Sequence, residues 1–317
     1  MKGYGQLAGV VYTILLMLQH LVETQQFTRE RLKKLFQLAT SLENTREETL
    51  HGKILASVFY EPSTRTRFSF ESAMYRLGGH VMTTENARDF SSAAKGETLE
   101  DSIRVMSYYA DVIVLRHPEI GAAERAATVS SVPIINAGDG AGQHPTQALL
   151  DLYTIERELG RIDGIHVVIV GDMRHYRSAR SLAYLLSKYK NVKITGVTAP
   201  ELTISDELRA HLSENNIEYA ETASLDEAMR EADVIYQTRI QKERLTPEAY
   251  ERTKGKYVID RPLADSMKEG AVIIHPLPRV GEIMPEVDDS PHAVYFKQVG
   301  YGLIVRMALL KTLLGPK

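Results

Sequence analysis

Segment 59–71 brings hydroxyl and guanidinium side chains together where a strand is predicted to give way to a helix. Pro62 keeps the residue before it out of helical geometry, so we expect the helix to begin at or after Ser63, with Ser63 or Thr64 as its N-cap. A helix N-terminus carries unpaired N–H groups and a partial positive charge, and Arg65 in its first turn opposes the dipole unless an anion binds there. The segment predicts a phosphate or oxyanion site, although a capped helix with surface arginines explains these residues equally well.

Further polar clusters follow the other predicted strands. Ligands of open parallel sheets bind beyond the carboxyl ends of the strands, so these clusters are predicted to share a site. Because cations predominate, the ligand should carry several negative charges. Taken singly, each cluster also has an ordinary interpretation as a surface charge, a turn, a strand terminator, or an i,i+4 pair such as Arg239 with Glu243. The clusters are 63–66, 116–117, 144–147, Arg177, 239–241 and 276–278.

Composition excludes several other classes of function for this chain of 317 residues. Because it has no cysteine, it has no disulfide, thiolate metal site or cysteine nucleophile, and its net charge of −3 argues against nucleic acid as a partner. The histidines are scattered, and the glycine-rich segment 138–142 lacks the spacing of a dinucleotide site. We therefore predict no metal and no cofactor. Segment 7–18 is mostly apolar but too short to span a membrane, and we expect a buried or interface helix there.

Strands that alternate with helices predict an α/β fold with two domains, each a mainly parallel sheet covered by helices on both faces. We predict domains 1–147 and 148–300, with a C-terminal helix at about 301–317 packing back on the first. Segment 85–98 is expected to be a loop without structure of its own, which at this length is usually functional. The predicted strands are 54–59, 79–82, 112–115, 132–136, 166–170, 193–197, 218–219, 234–236 and 272–274. The predicted helices after the first, which Thr28 caps, are 70–77, 99–109, 148–159, 177–188, 207–215, 224–231 and 301–314.

The five residues 63–67, placed after a strand, resemble the carbamoyl-phosphate motif of the aspartate/ornithine carbamoyltransferase family. The resemblance runs from about residue 21 to the end of the chain, in order and at matching spacing. The aspartate branch is favoured because the ornithine branch carries His-Cys-Leu-Pro where residues 275–278 are His-Pro-Leu-Pro, and because segment 236–244 resembles the aspartate-side signature. The matching segments are 59–70, 90–101, 115–118, 136–151, 236–245 and 275–283.

The resemblance implies transfer of the carbamoyl group of carbamoyl phosphate to the amino group of L-aspartate, a step of pyrimidine biosynthesis. The residues that it implies for catalysis are Thr66, Arg116, His144 and Lys95. Those implied to bind carbamoyl phosphate are Ser63, Thr64, Arg65, Thr66, Ser91, Lys95, Arg116, His144, Gln147, Pro276 and Leu277. Those implied to bind aspartate are Lys95, Arg177, Arg239 and Gln241. The resemblance also implies a set of ion pairs in the closed state, formed among Arg177, Arg239, Arg244, Glu61 and Glu243.

The resemblance also carries expectations about partners and location. In this family the loop that corresponds to segment 85–98 enters the site of a neighbouring subunit, so a homotrimer with shared active sites is implied. A regulatory chain or a multienzyme partner would fit as well, whereas neither nucleic acid nor a membrane is expected. The predicted location is the cytoplasm, or a plastid if a transit peptide has been removed.

Two departures from the family pattern affect these expectations. Ala94-Lys95 replaces a pair of lysines, and because Lys95 is the one kept, we expect activity to survive. Residues 175–178 are His-Tyr-Arg-Ser where Tyr-Gly-Arg-Thr is usual, so Tyr176 is expected to narrow the space in which aspartate binds.

Two alternative functions remain open at this point. One is a non-catalytic relative, which should have lost some of the catalytic residues, and the other is an enzyme that uses another carbamoyl acceptor with a terminal carboxylate.

Overall fold

The computed structural model describes residues 19–90, 92–240 and 245–315, which form two units, each built on a parallel sheet. Unit 1 contains the described residues up to Thr146 and those from Tyr301 onward, and unit 2 runs from Gln147 to Gly300. The predicted fold class, α/β with two mainly parallel sheets, is confirmed. No helix in the described ranges is both long and apolar enough to cross a membrane.

The sheet of unit 1 has the strand order β2-β1-β3-β4, and every neighbouring pair is parallel. Its central strand β1 is a continuous apolar run and is buried along almost its whole length, as expected for a strand covered on both faces. Phe59 at the end of β1 pairs with Arg116 of β3, so both strands end at the same edge. The strands are β1 Ile54–Phe59, β2 His80–Glu85, β3 Val112–His117 and β4 Ile134–Asp139.

The sheet of unit 2 has the order β7-β6-β5-β8-β9 and is also parallel throughout. Val170 at the end of β5 pairs with Gln237 of β8, which again brings two strand ends to one edge. Val168 and Ile235 on these strands are wholly buried, and each such side chain contributes about 1.5–3 kcal/mol to folding. The strands are β5 His166–Val170, β6 Lys193–Val197, β7 Glu218–Thr222, β8 Val234–Gln237 and β9 Val272–Ile274.

The helices follow from local capping and from apolar faces that pack on the sheets. Thr28 accepts a hydrogen bond from the Arg31 N–H and so caps α1, and Thr98 does the same for α4 through the Asp101 N–H. In chain order the helices are α1 Arg29–Ser41, α2 Thr64–Arg76, α3 Ala87–Phe90, α4 Leu99–Met106, α5 Ala122–Val129, α6 Pro145–Leu159, α7 Arg177–Leu186, α8 Asp206–Glu214, α9 Leu225–Glu231, α10 Pro247–Thr253, α11 Arg261–Asp265 and α12 Tyr295–Leu314.

Several local predictions differ from the structure, and a physical reason can be given for three of the differences. Segment 85–98 is not a structureless loop, because α3 and a 3₁₀ turn at Ser92–Lys95 lie within it. The alanine-rich helix α5 was not predicted, since small side chains give little apolar periodicity although they are buried. Helix α12 begins at Tyr295 rather than near residue 301, because the burial of Tyr295 outweighs the low helix propensity of the glycine at 300.

A close approach between the ends of β5 and β8 requires glycine at position 171. Gly171 has φ +104°, and a Cβ there would lie 2.6 Å from Thr238 Oγ1 and 2.9 Å from the Thr238 carbonyl oxygen. The Thr238 hydroxyl donates to the Val170 carbonyl (2.8 Å) and accepts from the Asp172 N–H (2.8 Å), so it links the two strand ends. This link fixes the backbone immediately before Arg239.

We expect Gly171→Ala to lower the free energy of unfolding by about 3 kcal/mol or more, because it combines a forbidden contact with backbone strain. Urea unfolding followed by circular dichroism measures the change, since the chain has no tryptophan. The matched control is Gly300→Ala in α12, where no atom lies within 4 Å of the added Cβ; there we expect a gain of about 0.5–1 kcal/mol. Equal unfolding midpoints for the two variants would contradict the proposed close approach.

Candidate active site

The turn from β1 into α2 leaves the positive end of the helix uncompensated by its own side chains. Ser63 is the N-cap residue of α2, but its side chain accepts no hydrogen bond from the helix backbone, in contrast to Thr28 and Thr98. The Ser63 hydroxyl instead accepts from Arg116 Nη1 at 3.4 Å. The first turn contains no acidic residue, so the partial charge of the helix N-terminus favours an anion at this edge of the sheet.

Several predicted residues lie at this edge of unit 1. Arg116, near the end of β3, has an 18% exposed side chain, and its Nε lies 3.4 Å from Glu61 Oε2. Thr66, in the first turn of α2, and His144, just before α6, are both buried, while Thr64 and Arg65 are exposed. His144 Nδ1 lies 3.4 Å from the Thr146 hydroxyl. The structure therefore brings Arg116 to Ser63 and Glu61, and places hydroxyl, imidazole and guanidinium groups in one unit.

The imidazole that follows Arg116 is held neutral. His117 is buried and packs edge-to-face on the Tyr60 ring, with 4.6 Å between the ring centroids. Burial lowers the pKa of His117, and its Nδ1 accepts a hydrogen bond from the Glu119 N–H, so the proton is on Nε2. A neutral, packed side chain at this position supports the end of β3 and adds no charge beside Arg116.

Unit 2 contains a second helix N-terminus of the same kind. Arg177 is the first residue of α7, whose first turn has no acidic residue and whose N-cap, Tyr176, makes no side-chain capping bond. Arg239 follows directly after the Thr238 link at the end of β8, and both arginine side chains are partly buried. Two guanidinium groups and a helix N-terminus in one unit suit a ligand with carboxylates.

Tyr176 occupies this region as an uncharged aromatic side chain. Its ring is buried, and burial raises the pKa of the phenol well above its ordinary value, although the charges of Arg239 and Arg177 act in the opposite direction. The phenol therefore stays protonated and its ring occupies space near the arginines. The expectation that Tyr176 narrows the space in which aspartate binds stays a prediction.

The segment after β9 is held in a defined conformation by its histidine. His275 Nδ1 accepts from the Leu277 N–H at 2.7 Å, so Nε2 carries the proton and donates to Glu282 Oε1 at 2.8 Å. Burial alone would raise the pKa of Glu282, but the hydrogen bonds from His275 and from the Val280 N–H lower it below its ordinary value. Leu277 has φ +56°, which costs about 1–2 kcal/mol for a leucine. The carbonyl groups of Pro276 and Leu277 are thereby held in fixed positions.

The remaining predicted residues fall partly outside the described ranges. Lys95 is exposed at the end of the turn Ser92–Lys95 and precedes Gly96, which has φ +90°. The residues that lie outside the described part of the chain are Ser91, Gln241, Glu243, Arg244 and segment 7–18. The expected roles of these residues stay predictions.

Sequence reasoning missed a buried carboxylate beside Gln147. Asp151 lies one helical turn further along α6 and is wholly buried, and it accepts a hydrogen bond from Gln147 Nε2 at 2.7 Å. The signal was present in the sequence, because residues four apart on a helix share a face. An aspartate in an apolar helix face needs such a partner.

Comparisons with known proteins give a consistent result for both units. Residues 19–157 match the family model described as the aspartate/ornithine carbamoyltransferase carbamoyl-P binding domain, and residues 163–313 match its Asp/Orn binding domain. The chain is 54% identical over 304 residues to aspartate carbamoyltransferase 3, chloroplastic, of Pisum sativum, covering 94% of this chain and 78% of that protein.

Two solved structures are similar over nearly the whole chain. One is the catalytic subunit of aspartate transcarbamoylase from M. jannaschii, with a TM-score of 0.86, 50% identity, and coverage of 93% of this chain and 98% of that chain. The other is aspartate transcarbamoylase from Trypanosoma cruzi in complex with carbamoyl phosphate and aspartate, with a TM-score of 0.88, 38% identity, and coverage of 94% and 97%.

Proposed function

The chain belongs to the aspartate/ornithine carbamoyltransferase family, and we infer from this membership that it is an aspartate carbamoyltransferase. It transfers the carbamoyl group of carbamoyl phosphate to the amino group of L-aspartate, and the products are N-carbamoyl-L-aspartate and phosphate, in pyrimidine biosynthesis. The observation that carries the residue assignment is the N-terminus of α2, where the Ser63 hydroxyl bonds to Arg116 instead of capping the helix.

Carbamoyl phosphate binds at the N-terminus of α2. The phosphate accepts hydrogen bonds from the hydroxyls of Ser63, Thr64 and Thr66, from the N–H groups of the first turn and from the Arg65 guanidinium. What supports this is the absence of an acidic residue from that turn, together with the match of this segment to the carbamoyl-P binding domain. Ser91 and Lys95 complete the set of phosphate ligands.

Catalysis consists mainly of stabilising negative charge on the carbamoyl oxygen. The amine of aspartate attacks the carbamoyl carbon, the C=O electrons move onto oxygen, and that charge falls on donors from Thr66, Arg116 and His144. When the tetrahedral intermediate collapses, the C–O bond to phosphate breaks and the departing phosphate accepts the amine proton. No side-chain base is therefore needed. The burial of Thr66 and His144 favours this role, because donors are more effective where water is excluded.

Acceptor groups hold the carbamoyl NH₂. The Gln147 NH₂ already donates to Asp151, which leaves its Oε1 as an acceptor for the substrate. The carbonyl groups of Pro276 and Leu277 provide the other acceptors, in the conformation that His275 maintains. A carbamoyl group has two N–H donors, so acceptors of this kind match it chemically.

Aspartate binds through its two carboxylates. Arg177, Arg239 and Gln241 bind them, and the guanidinium groups donate in a rigid fork that matches a planar carboxylate. The partial burial of both arginines and the position of Arg177 at a helix N-terminus support this assignment. Lys95 contributes a further positive charge.

We expect L-aspartate to be carbamoylated at least about 10³-fold faster than L-ornithine, measured as kcat/KM, because the acceptor residues are cationic and would repel the ornithine amine. L-Asparagine is the matched comparison: it has the size of aspartate but lacks one carboxylate, and it should be slower by about 10²-fold or more. Comparable rates with ornithine would overturn the assignment. A chain that binds the substrates without turnover would bind a phosphonate–aspartate bisubstrate analogue in a calorimetric titration but form no carbamoyl aspartate in the kinetic assay.

The active assembly is a homotrimer in which Lys95 and Ser91 of one subunit act in the site of the next. In support, Lys95 is exposed on unit 1, and helix α2 presents Phe68 and Tyr75 with 53% and 61% of their surface exposed. These two side chains and Arg46 help line a groove of about 470 Å³. Exposed aromatic side chains with charged residues beside them are typical of a protein interface. We further propose a regulatory chain or a multienzyme partner for this assembly. The proposed location is the cytoplasm or a plastid, and the similarity to a relative named chloroplastic supports a location in a plastid.

A further inference from the structure

Asp151 of α6 is a buried carboxylate at the centre of a hydrogen-bond network in unit 2. Its Oδ1 accepts from Gln147 Nε2 (2.7 Å) and from Gln298 Nε2 (2.6 Å), and its Oδ2 accepts from the Tyr236 hydroxyl (2.9 Å). Burial raises the pKa of the Tyr236 phenol, and the negative charge of Asp151 raises it further, so the phenol remains a hydrogen-bond donor. Three donors converge on the two oxygens of Asp151, so the carboxyl group is the acceptor in all three contacts and each amide turns its NH₂ end towards it.

The orientation of Gln147 follows directly from this contact. An isolated glutamine amide can present either its oxygen or its NH₂ to a ligand, because the two ends have nearly the same shape. With its NH₂ held by Asp151, Gln147 presents Oε1 away from the carboxylate. The side chain is also buried, with 8% of the residue exposed, so reversal would cost the hydrogen bond to a buried charge. Gln147 is thus fixed as an acceptor.

The same carboxylate fixes a second segment through Gln298. Gln298 donates from its NH₂ to Asp151, and the Oε1 of the same amide accepts from the His275 N–H at 2.9 Å. His275 in turn accepts from the Leu277 N–H. Asp151 therefore sets both the amide of Gln147 and the start of the segment that carries the Pro276 and Leu277 carbonyl groups.

We propose that Asp151 is the positioning residue that makes the enzyme select an acyl phosphate bearing NH₂ over one bearing CH₃. It does not touch the substrate; it ensures that hydrogen-bond acceptors, and not donors, meet the acyl substituent. A methyl group would leave these acceptors unpaired, which costs binding energy. The inference rests on the proposed function, and it adds the residue that determines the substrate class.

The test compares carbamoyl phosphate with acetyl phosphate, in which CH₃ replaces NH₂, by calorimetric titration of the whole enzyme. Asp151→Leu puts a branched apolar side chain in place of both acceptor oxygens, so the Gln147 NH₂ loses its partner and the amide is no longer held with Oε1 towards the substrate. We expect the preference for carbamoyl phosphate, the ratio of the two dissociation constants, to fall by about 10- to 100-fold. Binding of acetyl phosphate and of inorganic phosphate should stay close to that of the original enzyme.

The matched control is Asp233→Leu. Asp233 is another buried carboxylate of unit 2, which accepts from the His166 N–H (2.7 Å) and from Lys268 Nζ (2.9 Å). This variant should unfold at lower urea concentration but keep the same preference. If Asp151→Leu weakens both acyl phosphates equally, or leaves the ratio unchanged, Asp151 is merely structural and the proposal is wrong.

Two further outcomes are distinguishable. If Asp151→Leu does not fold, Asp151→Ala removes the same acceptor oxygens with less bulk, and an unchanged ratio in that variant overturns the proposal, whereas a reduced ratio supports it. If the unaltered enzyme fails to carbamoylate aspartate, the proposed function is wrong. A failure that is confined to the ratio, in an enzyme that carbamoylates aspartate normally, overturns only the role of Asp151.

Discussion

Arg65→Ala should lower kcat/KM for carbamoyl phosphate by about 10³-fold or more and leave the fold intact. Arg65 is exposed in the first turn of α2, so its removal creates no cavity. The phosphate gains negative charge as its bond to carbon breaks, and a charge-assisted hydrogen bond to that group is strongest in the transition state. Steady-state kinetics measures the loss, and circular dichroism confirms that the helices and strands are retained.

Arg67→Ala is the control for Arg65, two residues further along the same helix. Arg67 already forms ion pairs with Glu85 at 2.9 Å and with Glu71 at 3.5 Å, so its charge is compensated within unit 1. We expect its loss to change kcat/KM by less than about tenfold. Inhibition by inorganic phosphate should weaken in the Arg65 variant and not in the Arg67 variant. Near-normal turnover by Arg65→Ala would end the phosphate assignment.

If the active assembly is the proposed homotrimer with shared sites, mixed trimers of two inactive variants should recover about a quarter of the active sites. In a pure Lys95→Ala trimer every site lacks the lysine lent by its neighbour, and in a pure Arg239→Ala trimer every site lacks its own arginine. A site becomes complete when a Lys95→Ala chain, which keeps Arg239, receives the intact loop of an Arg239→Ala chain. With equal mixing, each of these two conditions holds about half the time, which gives the expected fraction.

The experiment requires exchange of subunits and a control for incidental activation. Native mass spectrometry of the mixture should show the two mixed trimers, and activity should rise in proportion to them. Mixing Lys95→Ala with the double variant Lys95→Ala/Arg239→Ala gives the same exchange but restores no site, so it should stay inactive. Zero activity in the first mixture, with mixed trimers present, would mean that each site is built within one chain.

The sequence by itself was sufficient for the strands and for the type of site. Segment 54–59 is a continuous apolar run ending shortly before Pro62, and β1 has those bounds because such a run is buried on both faces wherever it lies in a parallel sheet. The bounds of β5, another apolar run, and those of β6 were also predicted correctly. The family and its reaction followed from the resemblance of segment 63–67 and the later motifs to that family, and the family models confirm the membership.

Only the tertiary structure decided which partners the polar side chains have. Ser63 or Thr64 was expected to cap α2, and Ser63 is the N-cap residue, yet its hydroxyl makes no capping bond and accepts instead from Arg116, 53 residues away. Asp151 meets Tyr236 and Gln298, at separations of 85 and 147 residues. Local patterns predict strands and helices because propensity and apolar periodicity act over a few residues. The orientation of the Gln147 amide depends on a charge whose surroundings come from three separate segments, and only folding brings those segments together.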